Sequence, residues 1–359
     1  MMPLKKIAVY LTILTSIVWA TDRHFYLEID ENFAITTPDS STIPAWGFRL
    51  EGESPSVPGP TLGVSLDDQV FIHFQNTATA PQMLHLHGLD VDTANDGFPG
   101  LSDAVLPGQT TIYQFTADNV GNFAYVAIAD GPVSRNLGLY GLIRVRLFDI
   151  EQEFDLASLG VDPSWGQSSM PTTDPRDYSP EFLMIGGRVP DLAGQIDLLP
   201  VSSISVSDTV RLNLFNAGFW PQEINFHPET VRIISSDGRI WETPESVQRL
   251  RIYPGERYGV RLNFPEIGHY SGEWSITNPL TGAPALSASW NQVVVDASII
   301  RGDLNGDMVI NIQDVIQLVG IILGNVTPTA AQLYAADLTL DNAVDVTDVI
   351  TLVNLILGQ

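Results

Sequence analysis

The side chains best suited to chemistry fall in two places, an imidazole pair near residue 86 and two oxygen-rich loops after residue 300. In Pro81-Gln82-Met83-Leu84-His85-Leu86-His87-Gly88 the histidines stand at i and i+2 of an apolar, alternating run. A β-strand of that period turns both imidazoles to one face and Leu84 and Leu86 to the other. Two nitrogens on one face are a beginning for a transition-metal site. The loops suit hard cations. Asp303, Asn305, Asp307, the Val309 carbonyl, Asn311 and Asp314 fall at positions 1, 3, 5, 7, 9 and 12 of a calcium-loop frame. Asp337, Thr339, Asp341, the Ala343 carbonyl, Asp345 and Asp348 fill the same frame again. Two calcium ions are expected there, with Thr339 the weakest ligand. Without an ion, the carboxylates crowded in each loop should repel and loosen the adjoining helix.

The elements that must carry these residues are mostly strands. From His24 onward the pattern is β: Val70, Ile72 and Phe74 alternate with Phe71, His73 and Gln75, and Ile143, Val145 and Leu147 alternate with Leu142, Arg144 and Arg146. Gly and Pro punctuate at short intervals, as in an antiparallel sandwich. The pattern then recurs. Asp68, Val70, Asn76, Pro81, Gln82 and His87 return 140 residues later as Asp208, Val210, Asn216, Pro221, Gln222 and His227. Pro107-Gly108 and Gly121-x-Phe123 return 147 residues later as Pro254-Gly255 and Gly268-x-Tyr270. A fixed offset through a whole strand–loop–strand unit marks a duplicated sandwich. The segment 151–180, rich in Pro, Ser, Asp and Thr from about residue 157, reads as a linker between copies at 21–150 and 181–298.

A shorter repeat closes the chain. Asp303, Asp307, Asp314, Val315, Ile316, Leu318, Val319, Ile322, Leu323 and Gly324 recur 34 residues on, ending in Ile356, Leu357 and Gly358. Each unit over 301–359 is a loop followed by an amphipathic helix stopped by glycine. The predicted fold class is therefore mainly β, two sandwiches plus a small α-helical calcium module.

Composition narrows the function classes. A net charge of −25 argues against a nucleic-acid partner, which needs a basic stripe, and suits hard-cation binding. Residues 1–20 place Lys5 and Lys6 before an apolar run from Ile7 to Val18 and then Ala20, the pattern of a secretory signal peptide. No other apolar run is long enough for a membrane span, so the mature chain is expected to be secreted. There is no cysteine to supply disulfides in that compartment. Glu151 with Glu153, and Asp90 with Asp92, could form acid–base pairs, and Phe219, Trp220, Trp241, Trp274 and Trp290 a sugar-stacking platform. Nothing in their spacing favours these uses over solvated carboxylates and core aromatics.

Around the histidine pair lie Pro58-Gly59-Pro60-Thr61-Leu62, the strand from Val70 to Asn76, Asp96-Gly97-Phe98-Pro99-Gly100, Pro107-Gly108 and Gly138-Leu139-Tyr140-Gly141. In this order and spacing, roughly residues 40–148 resemble the first cupredoxin domain of multicopper oxidases. The second copy, with Pro254-Gly255-Glu256-Arg257-Tyr258, looks like a later domain of that family. The resemblance implies two Greek-key cupredoxin sandwiches and copper. In the family a second His-x-His follows the Gly-x-aromatic turn, and the matching residues here are Val126 and Ile128. In the duplicate, Asn225 stands for His85, and Glu273 and Ser275 take the downstream positions. A blue-copper centre needs a thiolate, which a chain without cysteine lacks. What remains is His85, His87 and His227. Either the three share one copper ion where the sandwiches dock, or they are relic positions packed at a domain interface.

The loop–helix repeat at 301–359 resembles a type I dockerin, which implies two calcium ions and a cohesin-like partner on a scaffold or cell-surface protein. The positions that usually read the cohesin are Ile312-Gln313 and Val346-Thr347. The leading reading is a secreted, multicopper-oxidase-like binding or structural module, recruited through a calcium-dependent dockerin, with no catalytic residue assigned. Two alternatives stay open: a copper-dependent oxidoreductase with a minimal histidine site, and an accessory component of an extracellular polysaccharide-degrading assembly.

Overall fold

The computed structural model describes residues 21–129, 132–147, 152–166, 177–199, 203–206, 208–227, 229–295, 299–339 and 343–358. The signal-peptide expectation over residues 1–20 and the expected ligand Asp341 lie outside the described residues. Alternation of apolar and polar residues builds the first sandwich. Its strands are β1 (Asp22–Thr36), β2 (Thr42–Leu50), β3 (Leu62–Ser65), β4 (Gln69–Gln75), β5 (Leu84–His87), β6 (Thr110–Thr116), β7 (Gly121–Ala127) and β8 (Tyr140–Arg146), with a short helix α1 (Val133–Leu137) before β8. One sheet runs β2-β1-β4-β6 and the other β3-β8-β7-β5. Val70, Ile72 and Phe74 of β4 meet Leu84 and Leu86 of β5 and Phe123 and Tyr125 of β7 in the core between them. Burying each such side chain contributes about 1.5–3 kcal/mol.

The second sandwich comprises β9 (Glu153–Val161), β10 (Phe182–Ile185), β11 (Gln195–Asp197), β12 (Ser203–Ser205), β13 (Thr209–Asn216), β14 (Gln222–Asn225), β15 (Val231–Ser236), β16 (Arg239–Val247), β17 (Arg249–Ile252), β18 (Arg257–Asn263), β19 (Gly268–Thr277) and β20 (Pro284–Val295). One sheet runs β10-β9-β13-β18-β15-β16, the other β11-β20-β19-β14-β17 with β12 also on β20. Trp274 and Trp290 are buried in the core between them, which removes both from any exposed stacking platform.

The linker expected over 151–180 needs correction. Its residues 153–161 form β9, an inner strand between β10 and β13. Leu156 points into the core of the second sandwich, whereas Ala157, Leu159 and Val161 join a separate apolar cluster. That cluster is the seam between the sandwiches. On one side stand Ala124 and Val126 of β7 with Tyr140 and Leu142 of β8, and on the other β9, Met184 of β10 and Phe215 of β13.

The duplicated letters have duplicated jobs. Asn76 Nδ2 donates to the carbonyls of Ala80 and Val105, and Asn216 Nδ2 to those of Trp220 and Ile252. Asp68 accepts from the Ser65 N–H and Asp208 from the Ser205 N–H. Gly108 and Gly255 donate their N–H groups to the carbonyls of Asn76 and Asn216. These side chains satisfy buried backbone groups where the chain turns, so the repeat is a repeat of turn chemistry.

The C-terminal segment has its own small core of Leu304, Val315, Leu318, Ile321, Ala335, Ala336 and Leu352. It contains α2 (Ile312–Ile322), α3 (Ala330–Ala336) and α4 (Val346–Leu357). Asn311 caps α2 and Asp345 caps α4, each in a reciprocal box with the carboxylate three residues on, Asp314 or Asp348. α4 stops at Gly358 in the left-handed conformation. α3 adds a helix to the loop–helix repeat, started by the box Thr329–Gln332.

Candidate functional site

β5 places its residues as its alternation requires. Leu84 and Leu86 are buried, while His85 and His87 are half-buried on the opposite face, their ring centroids 5.4 Å apart. His85 is anchored at Nδ1, which lies 2.8 Å from Asp96 Oδ1 and 3.0 Å from the Asp96 carbonyl, and its ring meets Phe98 edge-on.

His87 is held from the other sandwich. Arg257, at the start of β18, extends its guanidinium across the seam and donates from Nη1 to His87 Nδ1 at 2.6 Å. The same guanidinium donates to the Gly255 carbonyl at 2.9 Å and, through Nε, to the Asn122 carbonyl at 3.2 Å. Asp237 Oδ1 lies 3.4 Å from Nη2. The side chain is only 2% exposed. Room for it depends on Gly88, because a Cβ there would come within 2.4 Å of Arg257 Nη2. Burial, then the positive charge of Arg257, lowers the His87 pKa to about 3, with smaller contributions from His85 and Arg135. The ring is therefore neutral near pH 7, with its lone pair on Nδ1 and its proton on Nε2, which faces Gly255.

The other positions of the expected site lie apart. Val126 is 1% exposed inside the apolar seam, and Ile128 packs at the edge of the same cluster. His227 is exposed, beyond the Asn225 end of β14, where its N–H donates to Asn225 Oδ1. Asn225 is level with Arg249, whereas the Gly255 loop that touches His87 hangs off the far end of that pairing, past Ile252. The trio of His85, His87 and His227 is thus not brought together. The reason is which sheet meets the seam: β5 shares a sheet with β7 and β8, which line it, whereas β14 lies in the sheet of the second sandwich that does not contain β9, β10 and β13. Among the described residues, no group of three His, Cys, Asp or Glu stands where it could hold a metal ion.

Beside the histidines, the seam carries a polar network. Arg146 donates to Glu153 and Asn122, and Asn122 Nδ2 donates to Asn213 Oδ1 at 2.6 Å. Asn213 Nδ2 in turn reaches Glu153 and Asp155 at 2.9 and 2.8 Å. Burial of Glu153 opposes its ionisation, but the hydrogen bond and charge of Arg146, with the Asn213 hydrogen bond and the Arg211 charge, together outweigh it and hold the carboxyl below its usual range. Glu153 is a structural anion; Glu151, the other member of that candidate pair, lies outside the described residues. Asp90, from the other candidate pair, bonds to Arg239 at 2.9 Å.

The first loop of the C-terminal segment wraps around its end residues. Asp303 accepts from the N–H groups of Gly306, Asp307 and Met308, and Asp314 from those of Leu304, Asn305 and Asn311. Asn305 accepts from the Asp307 N–H, Asp307 from the Val309 N–H, and Asn311 Nδ2 donates to the Val309 carbonyl. The second loop repeats the closing half. Asp348, fully buried like Asp314, accepts from Leu338, Thr339 and Asp345 N–H groups, and the Thr339 hydroxyl also turns inward to it at 3.0 Å.

Arg257 is the residue that sequence reasoning missed. It is visible there only as a letter in Pro254-Gly255-Glu256-Arg257-Tyr258, and its partner His87 is 170 positions away. Asp96 belongs to the Asp96-Gly97-Phe98 stretch, whose letters alone assign it no role.

Comparisons with known proteins agree with the fold. Residues 51–148 match the family model for multicopper oxidase. The chain is 24% identical over 287 residues to L-ascorbate oxidase of Nicotiana tabacum, covering 68% of this chain and 46% of that protein. It is 35% identical over 108 residues to a probable nitrite reductase-hydroxylamine oxidoreductase fusion protein of Kuenenia stuttgartiensis, covering 28% of this chain and 13% of that one. The chain thus spans less than half the length of these curated relatives. Among solved structures, the blue copper oxidase from Nitrosomonas europaea superposes with a TM-score of 0.61 at 23% identity, over 76% of this chain and 86% of that one. Residues 51–148 are thus similar to a multicopper oxidase domain, and the fold of the sandwiches is cupredoxin-like. No described helix is long and apolar enough to cross a membrane.

Proposed function

We propose that this multicopper-oxidase-like chain is an exported binding or structural module, not a laccase-type electron relay, and that its C-terminal segment is a dockerin-like module that folds on calcium and docks on a cohesin-type partner. The observation carrying the first part is Arg257, whose cationic guanidinium occupies the lone pair of His87 and stands where a second cation would be repelled. The residues present do not fit a resident copper centre. His87 has given its lone pair to Arg257, which leaves the Nε2 of His85 as a single nitrogen donor; the two remaining family positions are Val126 and Ile128, His227 is remote, and no thiolate exists. Copper analysis of the full chain after copper loading tests this reading. The expected result is no copper held by His85 and His87; near-stoichiometric metal lost in His85→Ala and His87→Ala would overturn it.

Support for the calcium module is the donor chemistry and its repetition. Loop 1 offers Asp303, Asn305, Asp307, the Val309 carbonyl, Asn311 and Asp314, all hard oxygen donors, and loop 2 repeats the frame with Thr339 at its third position. Calcium titration followed by far-ultraviolet circular dichroism should raise helicity; no response to calcium or to its removal would refute the module. A second reading, an oxidoreductase with a minimal metal site, draws on the closeness of the His85 and His87 rings. Oxidation of a phenol that disappears on replacing either histidine would establish it.

A further inference from the structure

Two histidines outside the motif meet on the outer face of the first sandwich. β1 and β4 run parallel, with His24 level with Phe71 and Tyr26 level with His73. The alternation that sends Leu27, Ile29, Val70 and Ile72 into the core turns these four rings outward. His24 stacks on Phe71 with centroids 4.8 Å apart and planes 10° apart, and His73 stacks on Tyr26 at 4.4 Å and 12°. Between them, His24 Nδ1 lies 3.0 Å from His73 Nε2 in an exposed contact. No carboxylate or cation bonds to either imidazole among the described residues.

We propose that His24 and His73 form a two-nitrogen surface chelate for a divalent first-row transition ion, Cu2+ above the others. Bonds of about 2.0 Å to one ion, at angles between square-planar and tetrahedral, put two nitrogens about 2.8–3.3 Å apart. The hydrogen bond between the rings already holds the two nitrogens at 3.0 Å, so chelation asks for a turn of the rings and little change in their separation. The rings stand nearly end to end, since their centroids are 5.3 Å apart, so both must swing outward for their lone pairs to converge on the solvent side. That swing is open to them, because the contact is exposed and the flat faces of Phe71 and Tyr26 let each ring slide without losing its stack. In the hydrogen-bonded pair one ring donates its facing proton to the other. On metal binding that ring carries its proton on the far nitrogen instead, leaving two neutral imidazoles with both facing lone pairs on the ion. Water fills the other positions. Affinity follows the order that puts Cu2+ above Zn2+ and Ni2+, and protons compete for the same lone pairs as pH falls. The site depends neither on His85 and His87 nor on the C-terminal loops.

The test is a CuCl2 titration of the full chain, prepared without affinity histidines and with calcium in excess to occupy the carboxylate loops. Calorimetry should find one Cu2+ per chain, and electron paramagnetic resonance should show nitrogen ligation. His24→Gln and His73→Gln should each weaken binding at least tenfold. Binding unchanged in both variants, or lost only in His85→Ala and His87→Ala, would overturn the proposal. A reading that needs no variant is nuclear magnetic resonance with substoichiometric Cu2+. Ring protons of His24, His73, Tyr26 and Phe71 should broaden first, and broadening that begins elsewhere would also overturn it.

Discussion

The first sandwich holds two histidine pairs that differ in what their lone pairs face. His85 and His87 sit side by side on one strand, in the arrangement that reads as a metal motif, yet Arg257 takes the lone pair of His87, and His85, whose Nδ1 proton goes to Asp96, has only its Nε2 to offer. His24 and His73 have no motif around them, come from different strands, and among the described residues hydrogen-bond only to each other across an exposed face. A motif states which letters share a face. Whether they ligate depends on what the rest of the fold puts against the donor atoms, and here a residue from the second sandwich has claimed the motif. The pair without a motif keeps the freedom to bind.

The sharpest way to press this contrast is to remove Arg257. Arg257→Ala leaves the Asn122 and Gly255 carbonyls without this donor and the seam without its clamp, and should destabilise the chain by about 2–5 kcal/mol in urea unfolding, the cost of buried acceptors left unpaired. A loss under about 1 kcal/mol would mean the guanidinium is not holding the sandwiches together. Next is Val126→His, which restores the family letter inside an apolar cluster. An unpaired imidazole there should cost about 2–4 kcal/mol and recruit no copper; a stable, copper-binding variant would break the contrast.

Acid probes His87 by degrees. His87 titrates near 6.5 when exposed in the unfolded chain and about 3 when folded, so between those values the unfolded chain binds the extra proton. Stability should therefore fall as pH is lowered from about 6.5 toward about 3, by up to about 1.4 kcal/mol per pH unit from this group. His87→Gln should flatten that part of the profile. The smallest effect belongs to the exposed pair. His24→Gln and His73→Gln should each change stability by no more than about 0.5 kcal/mol while altering metal affinity.

Much of the architecture was legible where local chemistry preserves letters. Asn76 with Asn216 and Asp68 with Asp208 recur because each satisfies the same turn, and turns are short-range objects. The alternation in β4 and β5 likewise named the buried residues directly. β9 was hidden because neither of its faces reads as an apolar run: Glu153 and Asp155 precede Ala157, Leu159 and Val161 on one, and Ser158 and Gly160 follow Leu156 on the other. α3 is marked in the sequence by Thr329-x-x-Gln332, a capping box that lies between the two copies of the 34-residue repeat's loop–helix unit. The role of Arg257 could not be read at all, since a contact across 170 positions leaves no trace in spacing.

The placement of β9 bears on how this molecule can be taken apart. A gene fragment starting at residue 181 would encode β10 and β13 without the strand that lies between them, exposing two bare edges and half a greasy wall. Such a piece would be sticky and ill-formed, whatever the merits of the rest. Anyone wishing to express the halves separately must cut before Glu153, and even then each half would carry a naked oily flank meant for its twin.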